Sequence, residues 1–415
     1  MRVLRWSLLP CLLWSGIATA AQPLTLEECY QLALSRSEEL AIQAEVIKAT
    51  EGRFLQALAQ ALPTVSFVST DKRQDGSGSS AFTLKNVPER KFTFSQPLFS
   101  GFKEFAAIAG SRDERRQRVA ERERAELLLL VDVVEAFYLL REQQEDFKAL
   151  EAIRVTLEER LNELRQRETL GRTRHSEVAS AKAQLRRVEA ERELVLGRIE
   201  TARHLLEFLT GLPEVDVVTD AAEPLPKLEP VSAYLSQATE RPDVRAAESA
   251  WKVAQHTVTI AKSELWPSVD LDGNYYTKRV GNASGVDWDV TLTVDVPIFQ
   301  GGEAVGKVRE ESSQARQAHL RFEATMRQAL REIDDLYSQT ASSQERYLSL
   351  KRAHEASEES FRLQVEDYRV NLVNHLDVLQ ELQALQDARR DLINATYEMK
   401  RLYWRLQTAV GQGMA

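Results

Sequence analysis

The sequence predicts a mainly α-helical protein with a small β part, in which one unit, a strand hairpin followed by long coiled-coil helices, occurs twice. Only 17 Gly and 12 Pro interrupt 415 residues, which favours few and long elements. Charged residues make up 28% and aromatic residues 7% of the chain, a balance typical of solvated helices with narrow apolar seams. The third observation is an internal repeat with a spacing of 200 positions.

The repeat is carried by short matching segments such as "QPLFSG" and "VPIFQG". The residues that recur after 200 positions include Pro97 and Pro297, Phe99 and Phe299, Gly101 and Gly301, His175 and His375, and Gly211 and Gly411. Because an internal repeat supplies the same structural unit twice, it divides the chain into a first repeat at 21–212, a linker at 213–228 and a second repeat at 229–411.

Residues 1–20 have the layout of a secretory signal peptide. Arg2 and Arg5 precede the apolar run "LLPCLLWSGIA", and an A-x-A cleavage site ends at Ala20. The alternative, a signal anchor, is disfavoured because the apolar run is short for a membrane span. Cleavage would leave 52 basic and 63 acidic residues, a net charge of −11, which argues against a nucleic-acid partner. Only Cys29 would remain, so no intrachain disulfide is expected.

Both repeats present a helix, a hairpin, a long helix and a return helix in that order. Thr25 and Glu28 form a capping box that opens the first helix, which Pro63 ends. The expected bounds are a hairpin at 64–97, a long helix at 101–169 and a return helix at 173–211, then a hairpin at 268–297, a long helix at 302–368 and a return helix at 373–410. Each long helix would extend on the order of 100 Å.

The second return helix carries an apolar residue at every seventh position. These residues are Val378, Leu385, Leu392, Met399 and Leu406. A strict seven-residue repeat keeps one seam toward a partner helix, which predicts coiled-coil packing. The first helix and the return helix of each repeat are each about half as long as the long helix, so the two stacked end to end would match it and build a wall of constant height.

The strands of the second hairpin alternate between apolar and polar residues. In "SVDLDGNYY" and "DWDVTLTVDV" one face is apolar and the other carries Asp270, Asp272, Asp289 and Asp295. The pattern fits a membrane β-barrel with these aspartates in its lumen, and it equally fits a soluble hairpin with one solvated face. Four strands cannot close a barrel, so a membrane barrel requires several chains, and three would supply twelve strands.

Each hairpin is followed by a strand-to-helix corner. Pro97 and Pro297 are expected to end the strands, because proline withholds a ladder hydrogen bond. Gly101 and Gly301 are expected to take the sharp turn into the long helix.

The order of elements and the paired corners resemble the TolC-like outer-membrane efflux family. The segments "ERPDVRAAE" and "YRVNLVNHLDVLQ" carry the same resemblance, which covers essentially the whole mature chain. It implies a homotrimer whose twelve-stranded β-barrel in outer-membrane lipid continues as a twelve-helix α-barrel in the periplasm. It also implies a passive exit duct of an efflux or type I secretion system, which serves an inner-membrane transporter and a periplasmic adaptor (membrane fusion) protein. The alternative is a soluble periplasmic coiled-coil adaptor or scaffold.

The resemblance also assigns roles to residues at the far ends of the long helices. It places the adaptor contact at the turns formed by Leu170, Gly171, Val370 and Asn371, with Asn371 where the family usually has glycine. It implies that Asp377 of the three copies forms a ring of carboxylates that narrows the tunnel entrance, and that Tyr368 is a gating residue. Gln380 stands where a second aspartate is common, and Val373 where a gate-locking arginine can sit. The alternative for Asp377 is a solvated position on a charged helix.

No residue pattern predicts an enzyme, a cofactor or a metal site. Gly301, Gly306 and Lys307 match most of a phosphate-binding loop, but Val308 replaces the hydroxyl that would hold magnesium, and no βαβ alternation surrounds the motif. The six histidines form no H-E-x-x-H motif, and no G-x-S-x-G segment marks a nucleophile.

Overall fold

The computed structural model describes residues 23–75, 84–215, 218–220, 227–281, 284–370 and 372–414. The predicted signal peptide at 1–20, part of the predicted linker at 213–228 and the predicted tip residue Asn371 lie outside the described residues.

The described residues form eight α-helices and four strands, so the prediction of a mainly helical protein with a small sheet is confirmed. The helices are α1 Leu26–Arg36, α2 Glu38–Ala59, α3 Lys103–Thr169, α4 His175–Thr210, α5 Val231–Leu235, α6 Pro242–Ser263, α7 Glu303–Arg369 and α8 His375–Ala409. The strands are β1 Thr64–Arg73, β2 Asn86–Ser100, β3 Ser268–Lys278 and β4 Trp288–Asp295. The long helices α3 and α7 have 67 residues each. Within the described ranges no helix is long and apolar enough to span a membrane.

The first helical segment of each repeat is interrupted rather than continuous. The capping box at Thr25 is confirmed, since the Thr25 backbone N–H donates to Glu28 Oε2 at 2.8 Å and the Glu28 N–H donates to Thr25 Oγ1 at 3.2 Å. The helix then ends at Arg36, because Ser37 is extended and accepts a hydrogen bond from the Leu40 N–H as the N-cap of α2. In the second repeat a short 3₁₀ helix, Ala238–Glu240, separates α5 from α6.

The chain divides into two compact units. The turn unit contains the described residues of Met1–Ala33, Val133–Pro224 and Glu359–Ile393, and the sheet unit contains those of Leu34–Asp132, Leu225–Glu358 and Asn394–Ala415. In the turn unit, apolar side chains of α3, α4 and α8 are buried, among them Leu157, Leu164, Val188 and Val378. In the sheet unit, a cluster of Tyr234, Ala238, Ile333, Leu406, Ala409 and Val410 joins α5, α7 and α8. Narrow seams of this kind agree with the low aromatic content.

The four strands form one antiparallel sheet in the order β1-β2-β3-β4. The two hairpins therefore pair with each other through β2 and β3, although about 170 residues separate them in the chain. Within the described residues, the outer edges of β1 and β4 have no partner strand.

Candidate functional site

One face of the sheet is a continuous apolar surface. Directly opposed residues of antiparallel strands share a face, and the register aligns Phe67, Phe92, Tyr275 and Trp288 in one row across all four strands. The large side chains of this apolar face are between 38% and 70% exposed: Val65, Phe67, Phe92, Phe94, Tyr275, Trp288, Val290, Leu292 and Val294. A patch of this size is unusual on a protein surrounded by water and is the pattern of a lipid-facing surface.

The opposite face of the sheet is polar and carries all four aspartates predicted for the barrel lumen. Asp270 pairs with Thr293, Asp272 with Thr291, Asp289 with Asn274 and Asp295 with Ser268. The Asn274 side chain donates to Asp289 at 2.8 Å, and Ser66 and Thr93 are hydrogen-bonded at 2.6 Å. The side-chain period of two explains why the register brings these residues to one face. Their position in a lumen remains a prediction.

Both corners have a glycine with the same left-handed backbone conformation. Gly101 and Gly301 each have a φ of 63°, and the residue after each is also left-handed, with a φ of 68° at Phe102 and 89° at Gly302. A Cβ atom on Gly101 would lie 2.8 Å from the Ser263 carbonyl oxygen, so this position excludes side chains on steric grounds as well.

The prediction that Pro97 ends its strand is wrong. The strand β2 continues through Pro97 to Ser100, with a register shift between Pro97 and Phe99. Pairing of β2 with β1 ends at Ser95, so Pro97 lies where β2 is paired only with β3, and a proline is tolerated at such an edge. Pro297 differs, since β4 ends at Asp295, two residues before it. The two prolines differ because β3 pairs with β2 as far as Ser100 but with β4 only as far as Asp295.

The two helix-to-helix turns share one hydrogen bond at equivalent positions. After α3, the Gly171 N–H donates to Glu168 O and the Arg172 N–H donates to Arg167 O, both at 2.9 Å, which is a Schellman motif with Gly171 at a φ of 67°. After α7, the corresponding Leu372 N–H donates to Asp367 O at 3.0 Å. The predicted adaptor-contact residues Leu170 and Val370 are 68% and 64% exposed. Leu372, which the sequence analysis did not single out, is 74% exposed.

Asp377 belongs to the N-terminal cap of α8. The Asn374 side chain accepts from the Leu376 and Asp377 N–H groups at 2.8 and 3.1 Å, and Asp377 Oδ2 accepts from the Asn374 N–H at 3.0 Å. This is a reciprocal capping box, which the sequence signals by the three-residue spacing of Asn374 and Asp377. Asp377 is half-buried and Gln380 is exposed. Their role at a constriction remains a prediction.

Tyr368 lies in a cluster that the sequence analysis missed. It is 7% exposed and contacts Arg160 and Arg167 of α3 and His375 of α8. No local motif announces this cluster, because its members come from three helices and about 200 residues separate α3 from α7 and α8.

The phosphate-loop match belongs to the second corner. Gly301 and Gly302 make the turn, and the Lys307 ammonium is paired with Glu264 at the end of α6. Across the part of the chain that the structure describes, no group of three or more His, Cys, Asp or Glu could hold a metal ion. Cys29 is fully buried, and burial raises the pKa of its thiol to about 12.

Comparison with known proteins identifies relatives over nearly the whole chain. The family model described as outer membrane efflux protein matches residues 29–212 and 235–412. Nodulation protein T of Rhizobium leguminosarum bv. viciae is 23% identical over 396 residues, which cover 91% of this chain and 80% of that protein. Outer membrane protein TolC of Escherichia coli K12 is 22% identical over 415 residues, with 96% and 84% covered. The crystal structure of the outer membrane protein VceC from Vibrio cholerae superposes with a TM-score of 0.82 at 22% identity, covering 94% of this chain and 97% of that one.

Proposed function

The chain belongs to the outer membrane efflux protein family, and from this premise we propose that three copies assemble into one exit duct of a tripartite efflux or type I secretion system. As a family member the protein lies in the outer membrane and extends into the periplasm. Transport through it is passive, with energy supplied by an inner-membrane transporter, and a periplasmic adaptor connects the two. The three copies would supply twelve strands and a twelve-helix tunnel wall.

The observation that carries this proposal is the two-faced sheet, whose outer edges have no partner strand among the described residues. In hydrocarbon, unpaired backbone groups are too costly to persist, so β1 and β4 need partner strands. A second and a third copy can provide them if β4 of one chain pairs with β1 of the next. The barrel would then turn the apolar face toward lipid and the face with Asp272 and Asp289 toward water. A soluble adaptor would instead leave nine large apolar side chains in contact with water.

The helix-to-helix turns suit a contact with the adaptor. Leu170, Val370 and Leu372 expose apolar side chains at the two turns of each chain. In a trimer these turns would form a ring of six apolar tips, which is a surface that a second protein can cover. Gly171 permits the tight reversal that presents the first tip.

Asp377→Asn is expected to lower the cation-to-anion permeability ratio of the purified protein in planar bilayers by on the order of tenfold. Three symmetry-related carboxylates at one constriction concentrate cations, and the substitution removes all three charges. The side-chain carbonyl oxygen of the new asparagine can still accept from the Asn374 N–H, so the cap of α8 is retained.

Asp387→Asn is the matched control, because Asp387 is an exposed aspartate of the same helix that accepts a hydrogen bond from Gln383 at 3.0 Å. It should leave the permeability ratio nearly unchanged. Equal effects of the two substitutions would remove Asp377 from the constriction. A purified protein that forms no channels at all would contradict the proposed function itself.

A further inference from the structure

Tyr368, at the end of α7, contacts two arginines of α3. The Arg160 guanidinium carbon lies 3.9 Å from the centroid of the tyrosine ring, and that of Arg167 lies 5.1 Å from it. Arg167 Nη1 also donates a hydrogen bond to the Tyr368 hydroxyl at 3.4 Å. The electron-rich face of the ring attracts both cations, so the two arginines fix the position of Tyr368 relative to α3.

Glu163 holds the two arginines in place. Its Oε2 accepts from Arg160 Nη1 at 2.8 Å, and its Oε1 lies 2.7 Å from Arg167 Nη2. Residues 160, 163 and 167 follow one another at helical spacing and therefore share one face of α3. The ion pairs with Glu163 therefore orient both arginines, and we call Arg160, Glu163 and Arg167 the seat of Tyr368.

His375, the first residue of α8, also contacts Tyr368. Its ring meets the Tyr368 ring edge to face at a centroid distance of 6.2 Å, and the residue is 2% exposed. Neither ring nitrogen has a hydrogen-bond partner among the described residues. A buried imidazole without an acceptor tolerates the neutral form far better than the charged form.

The charges that face His375 disfavour its protonation further. Burial has the largest effect and the positive charge of Arg160 the second largest, and together they lower the pKa of His375 to about 4, although Glu163 acts weakly in the opposite direction. From α7 the facing group is Tyr368. On α8 itself the carboxylate of Asp377, two residues further along, accepts the Asn374 N–H. A proton on His375 therefore finds no hydrogen-bond acceptor within the part of the chain that the structure describes.

Taking Tyr368 as the gating residue that the family resemblance implies, we propose that its packing against Arg160 and Arg167 is the closed state of the duct and that protonation of His375 releases it, so that acidification of the periplasm opens the duct. The inference rests on the proposed function, of which it describes the regulation. Because charged His375 has no hydrogen-bond acceptor among the described residues and Glu163 compensates only weakly, we expect it to turn toward water, which displaces the start of α8 from Tyr368. Because the closed form binds the proton more weakly than a solvated histidine does, the closed gate keeps its full stability above about pH 6.5. As the pH falls from there toward about 4, the ratio of open to closed gates rises by up to about tenfold per pH unit and protomer.

The first repeat supplies a matched control. His175 occupies the position equivalent to His375, but its side chain is 90% exposed and its Nδ1 lies 2.7 Å from Glu168 Oε1. Because His175 is already in contact with water and a carboxylate, a change in its charge should not move Tyr368. Comparing substitutions of the two histidines therefore shows whether the pH response depends on the burial of His375 or on any histidine at this position.

The experiment is single-channel recording in planar bilayers between about pH 7.5 and about pH 5, with the wild type, His375→Leu and His175→Leu. We expect the open probability of the wild type and of His175→Leu to rise steeply on acidification and that of His375→Leu to stay low. If the leucine variant does not assemble, His375→Gln provides a neutral side chain of similar volume. Tyr368→Ala, which empties the seat, is expected to be open at every pH.

Three outcomes contradict the inference. A wild type that conducts with an open probability independent of pH excludes an acid-sensitive latch. A pH response that persists in His375→Leu assigns the response to another group. In both cases conduction itself is observed, so the proposed function stands. If neither the wild type nor Tyr368→Ala conducts at any pH, the proposed function fails and the latch fails with it.

Discussion

Leu292→Arg is expected to reduce the assembled protein in the outer membrane by more than about tenfold, whereas Thr291→Arg is expected to leave its amount nearly unchanged. Leu292 lies in the middle of β4 on the apolar face, opposite Leu271, and is 60% exposed. An arginine near the midplane of a barrel's lipid face costs about 2–4 kcal/mol, and each trimer would carry three. Thr291 is adjacent in the chain but lies opposite Asp272 on the polar face, where an arginine meets water and a carboxylate.

The pair of substitutions separates a membrane barrel from a soluble sheet. The amount of trimer in isolated outer membranes, measured on gels without boiling, gives the comparison directly. Equal amounts for the two variants would mean that the two faces of the sheet have the same surroundings, and the lipid-facing role of the apolar face would then be wrong.

Arg241→Met is expected to lower the free energy of unfolding by about 3–5 kcal/mol, the cost of removing one partner from a buried ion pair. Arg241 is 1% exposed and donates to both oxygens of Asp243 at 3.0 and 2.7 Å, to Glu332 at 2.8 Å and to the Ala409 carbonyl at 2.9 Å. Arg241 thereby connects the start of α6 with the middle of α7 and the end of α8. Burial lowers the pKa of Arg241, but its hydrogen bonds to Asp243 and Glu332 outweigh burial and raise the pKa.

Arg245→Met, four residues further along α6, is the control for Arg241→Met. Arg245 pairs with Glu123 at 3.0 Å, and the two side chains are 42% and 39% exposed. Exposed pairs contribute about 0–1 kcal/mol, so this substitution should have little effect. Chemical unfolding of the detergent-solubilised protein, followed by the helical circular dichroism signal, measures both. A similar small loss for both variants would show that the buried ion cluster does not stabilise the sheet unit.

Patterns that depend on neighbours in the chain were predictable from the sequence. The alternation in "WDVTLTVD" predicted a two-faced strand, and β4 has apolar and polar residues on opposite faces. The seven-residue spacing in α8 predicted a seam, and Val378, Met399 and Leu406 are buried. The capping box of Asn374 and Asp377 was equally visible as a spacing, although the sequence analysis did not use it.

Features that depend on distant partners were not predictable. Pro97 was expected to end a strand, but its outcome was decided by β3, which begins about 170 residues later and pairs with β2 beyond the proline. Tyr368 contacts Arg160, Arg167 and His375, and none of these residues is unusual in its own helix. His175 and His375 occupy equivalent positions, yet only the structure shows that one is exposed and the other buried.

The most direct test of the account is a disulfide between β1 and β4. In one chain β2 and β3 separate these strands, which at about 4.8 Å per strand places them roughly 14 Å apart, whereas a disulfide needs Cα atoms within about 7 Å.

Ser66→Cys in β1 would be combined in turn with cysteine substitutions at Asp289, Thr291 and Thr293 of β4, which share its polar face. Buried Cys29, whose raised pKa keeps its thiol protonated, should not interfere. If neighbouring copies complete the barrel, oxidation of outer membranes should convert at least one double variant into a covalent trimer on denaturing gels. Monomers alone for every pair would contradict the account.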